Sequence, residues 1–220
     1  MCSVVRTERN RSGHEEATLL AHGRRLEYLT IAWNGFEASV SLISGLLAGS
    51  IALVGFGLDS VIEVASAIIL LWRLQPEMSG QRREIVERRA HRLVGLCFVL
   101  LAAYVTFESG RALWLHTVSE RSIPGIAIAC AAVVVMPLLG RAKRKIAAQL
   151  GSGALHSDSR QADFCAYLSA ILLLGLALHW LLGWWWADPV AALIMVPIIA
   201  REGVQGVRGK VCDDCAPGAR

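Results

Sequence analysis

Charge is scarce in this chain. Only 18% of its 220 residues are Asp, Glu, Lys or Arg, against about a quarter in an ordinary soluble domain. With 55% hydrophobic residues and a mean hydropathy of +0.49, too little polar surface exists to wrap a water-soluble core, and the surplus apolar residues must face lipid. No nucleophile–base arrangement and no phosphate-binding loop is present, which argues against an enzyme. The net charge of +4 is not gathered on a folded basic face, so no nucleic-acid partner is expected. The first 25 residues contain no apolar stretch; they are not a cleavable signal peptide and are expected to be a mobile cytosolic tail. Nor do the six cysteines (Cys2, Cys97, Cys130, Cys165, Cys212 and Cys215) suggest a disulfide framework, since none falls in a segment assigned outside the cytosol.

What the chain does have is long apolar runs. They cover roughly Leu26–Ala48, Ser50–Trp72, Leu93–Leu115, Gly125–Gly140, Ala162–Leu182 and Ala187–Ala200. A spanning helix needs about 20 apolar residues. The expected fold is therefore an all-α integral membrane protein with six transmembrane helices. Helix is expected to begin well before Ala162 and to continue past Ala200 through Val204 and Val207. Residues 1–25 form an N-terminal tail in this reading, 26–209 the transmembrane domain, and 210–220 a short tail carrying Cys212 and Cys215 as a C-x-x-C. That pair supplies half a tetrahedral zinc site or, equally, nothing.

The basic residues set the orientation. Of the 22 Lys and Arg, 20 lie before the first run, between runs two and three, between four and five, or after the sixth; only Arg111 and Arg121 lie in the other set of loops. Both termini are thus expected in the cytosol, in a multi-pass protein of the cell (inner) membrane. Trp184, Trp185 and Trp186 then sit at the outer interface, where amphipathic rings are favoured.

Two acids stand where hydrocarbon should exclude them. Asp59 and Glu63, in ALVGFGLDSVIEVASA, are four residues apart and share one face of the second span. Like charges one turn apart repel, and a dication or shared protons relieves that repulsion. A lone intramembrane acid is often just a protonated hydrogen-bonding group between helices; a pair at this spacing is less readily explained that way. In the fifth span, helical spacing puts Asp158, Gln161 and Cys165 on one stripe, with Ser169 a turn further and His156 and Asp163 nearly opposite. Carboxylate, amide and thiolate together suit a borderline ion, although Asp158 also reads as a helix N-terminal residue and Cys165 as apolar filler. Asn34 and Glu37 share a face of the first span, and Glu108 lies near the outer end of the third; vestibule lining, proton carriage and plain polar contact between helices are all open for them. Gly45 and Gly49 make a small-xxx-small pair, an ordinary packing signal.

SIALVGFGLDSVIEVASAIILLWRL, LHSDSRQADFCAYLSA and ADPVAALIMVPIIAREG resemble the second, fifth and sixth spans of the cation diffusion facilitator family of metal–proton antiporters. The resemblance extends over about Leu26 to Gly209. It implies a transported ion held by four ligands, two each from spans two and five, which by position are Asp59, Glu63, Gln161 and Cys165. The family usually has histidine or aspartate at the fifth-span positions, and Asp158 or His156 are alternative ligands there. It usually carries a soluble domain after the sixth span, so a short form is expected. The resemblance implies no resident cofactor; divalent metal, zinc first, and protons are the expected substrates, lipid is the surroundings, and a second copy of the chain is an admissible partner. The rival readings are a non-transporting, metal-binding membrane subunit and a proton-coupled carrier of an organic cation.

Overall fold

In the computed structural model, residues 2–73, 81–150 and 153–208 are described. They form six helices: α1 (Cys2–Ala48), α2 (Ile51–Arg73), α3 (Gln81–Leu115), α4 (Ile123–Leu150), α5 (Gly153–Leu182) and α6 (Ala187–Val207). No strand occurs among the described residues. Each helix contains a segment long and apolar enough to cross a bilayer, in agreement with the expected six spans.

The helices overrun the apolar sequences that mark them. α1 starts at Cys2, so the leader expected to be a mobile tail has a helical backbone; α3 begins at Gln81 rather than Leu93, and α4 continues to Leu150 rather than stopping at Gly140. A helix closes its backbone hydrogen bonds internally, so it need not end where lipid gives way to water. The Cys212–Cys215 pair lies outside the described residues.

α1 and α2 form a hairpin turned at Gly49, whose φ of +65° is one that glycine adopts without strain. α4 and α5 pair likewise, α3 lies along α6, and α2 runs through the middle, touching α1, α3, α5 and α6. Glycines permit the closest approaches. A Cβ on Gly203 would stand 2.8 Å from the backbone nitrogen of Val99, and one on Gly95 2.5 Å from that of Val207. α3 and α6 therefore meet backbone to backbone, as small residues allow in membranes.

The interior is partly polar. On α1 the buried positions Glu27, Thr30, Asn34, Glu37, Ser41 and Ser44 follow one another at spacings of three and four, while Tyr28, Leu29, Phe36, Ile43 and Leu46 are exposed at the surface that lipid covers. This reverses the soluble pattern, in which the apolar face turns inward. An apolar layer remains around Leu53, Phe56, Ala129, Leu172 and Ala192, all essentially solvent-free.

Candidate metal site between α2 and α5

α2 presents Asp59 and Glu63 from successive turns of its inward face, and α5 brings Cys165 against them. All three are buried, at 3%, 6% and 1% exposure. One donor atom from each lies within 4.8 Å of the others. Donors around a four-coordinate zinc are about 3.3–3.6 Å apart, given metal–ligand distances of about 2.0–2.3 Å. The side chains thus need to draw in by about 1 Å to hold an ion, a shift within ordinary rotamer freedom. Asp59 Oδ2 has no hydrogen-bond partner although it is buried, an arrangement that costs free energy unless a cation or proton meets it.

The surroundings orient the donors. Asn34 Nδ2 donates to Glu63 Oε2 at 2.8 Å, fixing that carboxylate from α1. Glu37, fully buried, accepts from Trp33 Nε1 at 2.8 Å and from Ser60 Oγ at 2.7 Å, and the Cys165 thiol points to its Oε1 at 3.7 Å. Glu37 is therefore a third carboxylic acid, bordering the cluster. Of the other sequence candidates, Gln161 lines a narrow cavity beside Glu63 and its Oε1 accepts from Ser66 Oγ at 3.3 Å, leaving Nε2 unpartnered. Asp158 is engaged elsewhere, in an ion pair with Lys143. Asp163 pairs with Arg144 across α4 and α5, and His156 is not among the three clustered donors. Glu108 bonds Arg111 on its own helix.

Residues 86–209, more than half of the chain and all of the bundle from within α3 onward, match the cation efflux transmembrane domain. The chain belongs to the cation efflux, or cation diffusion facilitator, family. A protein of Synechocystis sp. described as an uncharacterized transporter is 26% identical over 174 residues, which are 76% of this chain and 56% of that one. The chain thus spans little more than half the length of this relative. The cation efflux match includes Gln161 and Cys165 but begins after Asp59 and Glu63, so the α2 half of the site rests on the geometry above.

Three polar groups of this family member escape a reading of the sequence. Lys143, in the run RAKRK, is only 1% exposed; its ammonium lies 3.2 Å from the fully buried Glu27 and pairs with Asp158. The signal was its register, because Ala132, Met136, Gly140, Lys143 and Ala147 form the buried stripe of α4. Asp188, 1% exposed at the start of α6, accepts from Ser50 Oγ and, at 2.9 Å, from the Ile51 N–H. It ties α6 to the first turn of α2, where an anion is favoured by the helix dipole.

Proposed function

We propose that this protein carries a divalent metal cation, zinc first, across the cell (inner) membrane in exchange for protons. The observation that carries the reading is the convergence of Asp59, Glu63 and Cys165 in the bundle interior. Two carboxylates balance a dication's charge, and with the Cys165 sulfur they offer it oxygen and sulfur donors, the mixture a borderline d¹⁰ ion accepts. Gln161 Oε1 is the fourth donor in this proposal, freed from its weak hydrogen bond to Ser66. The same oxygens accept protons, so protons and metal compete for one site, which is the chemical basis of antiport. Asn34 and Ser60 hold the site in register while the ion is exchanged.

Access alternates between the two ends of the bundle. At the Ser50–Asp188 end, a cavity of about 240 Å³ reaches Tyr104, Glu108 and Arg111. Toward the other end a cavity of about 10 Å³ lies between Glu63 and Lys143. The split of basic residues favours the Lys143 end as cytosolic, and export is the proposed direction.

The test is flux. Proteoliposomes holding a zinc-sensitive dye should fill with wild-type protein and a pH gradient, whereas Asp59→Asn and Glu63→Gln should each reduce the rate at least a hundredfold. Undiminished flux in both variants overturns the site; metal binding without flux in the wild type would instead favour a binding subunit. A flux of organic cation that zinc does not inhibit would favour the remaining rival.

A further inference from the structure

Lys143 is an expensive residue to bury. An ammonium in a low-dielectric interior requires close anionic partners, and apolar replacements usually hold helices together at least as well. Here two carboxylates from different helices, Glu27 of α1 and Asp158 of α5, converge on one Nζ from α4. Formal charges leave the trio with one negative charge in excess, and Glu37, Asp59 and Glu63 add further acids along the same interior. A narrow cavity joins Lys143 and Asp158 to Glu63 and is lined by Thr30, Asn34 and Gln161 between them. Asn34 is fully buried and its Oδ1 has no partner, although its Nδ2 holds Glu63. Glu27, Thr30 and Asn34 climb α1 in steps of three and four residues, and Asp158 and Gln161 climb α5 beside them. The result is a ladder of oxygen donors between a carboxylate pair at one end of the bundle and the α2 acids deeper in.

We infer that Glu27 and Asp158 form a second dication station, which the Lys143 ammonium fills as a tethered surrogate until an incoming metal ion displaces it. The ion then passes by Asn34 and Gln161 to Asp59 and Glu63. Lys143 thereby keeps the station occupied between loading events, and the surplus negative charge draws in a dication rather than a second monovalent ion. The destination of the ion rests on the transport reading above, but the station does not.

Calorimetric titration of the purified full chain with Zn²⁺ in detergent tests it. Lys143→Gln should raise the number of ions bound per protomer from one to two; adding Glu27→Gln should return it to one. In the Asp59→Asn background, which removes the deeper site, Lys143→Gln should still bind one ion. An unchanged stoichiometry in Lys143→Gln overturns the station, whereas two ions bound by Asp59→Asn/Lys143→Gln, as many as by Lys143→Gln alone, overturn the midplane site and leave the station standing. Should Lys143→Gln not fold, Glu27→Gln and Asp158→Asn each leave the ammonium one partner; both are expected to lower uptake at sub-saturating metal about tenfold while sparing the saturated rate, in line with the loss of one ligand charge. Uptake equal to wild type in both variants refutes the proposal.

Discussion

Asp188 is the contact whose removal has the most calculable consequence. Its carboxylate receives the Ser50 hydroxyl and the Ile51 N–H, and both Ser50 and Asp188 are 1% exposed. Ser50 in turn caps α2, its Oγ accepting from the Leu53 N–H at 3.2 Å. Replacing Asp188 with alanine takes the acceptor from two donors, at about 1–3 kcal/mol each, toward the lower end because both border the 240 Å³ cavity. It also removes an anion from the helix N-terminus, worth about 0.3–1 kcal/mol. The expected destabilisation of Asp188→Ala is about 2–4 kcal/mol. Asp188→Asn keeps one acceptor oxygen and should lose about half as much. Unfolding in a denaturing-detergent titration measures both against Glu108→Ala, which breaks a partly exposed i, i+3 pair with Arg111 and should cost less than about 1 kcal/mol. If Asp188→Ala is no worse than Glu108→Ala, the junction between α2 and α6 does not depend on this carboxylate.

Two more consequences follow from the geometry. Cys165→Ser exchanges a soft donor for a hard one, so affinity for zinc and cadmium should fall about tenfold or more while manganese is little affected; competition titrations of the three metals would expose an equal loss for all, which contradicts sulfur ligation. Gly203→Ala forces a Cβ to within 2.8 Å of the Val99 backbone nitrogen and should cost about 1–3 kcal/mol by prising α3 from α6, whereas Gly110→Ala, with nothing within 4 Å, should be neutral or stabilising by about 0.5–1 kcal/mol. Equal stabilities for the two variants would mean that α3 and α6 do not meet at the backbone.

How much of this was legible beforehand depended on whether a residue's partner was near in sequence. Asp59 and Glu63 announced themselves because their four-residue spacing sits inside an apolar run, and six spans followed from six apolar runs, the short sixth only with helix continued through Val204 and Val207. Helix ends were harder: α3 opens at Gln81 with a charged helical stretch that hydropathy marks as a loop, helical and amphipathic only toward its end, since a charged helix is as well hydrogen-bonded in water as an apolar one in lipid. Lys143 hid among Arg141, Arg144 and Lys145, yet its place on the Gly140–Ala147 stripe distinguished it. The α1 stripe from Glu27 to Ser44 was equally periodic, and Asn34 and Glu37 were its visible part. Asp188 could not be read at all, because Ser50 lies 138 residues away and nothing local indicates that a helix start will cap another helix.

Zinc-edge anomalous scattering from crystals of the metal-loaded protein probes the central claim most directly. A difference peak is expected in contact with Asp59, Glu63 and Cys165, absent in the Asp59→Asn variant. A bound ion touching none of these three side chains would contradict it.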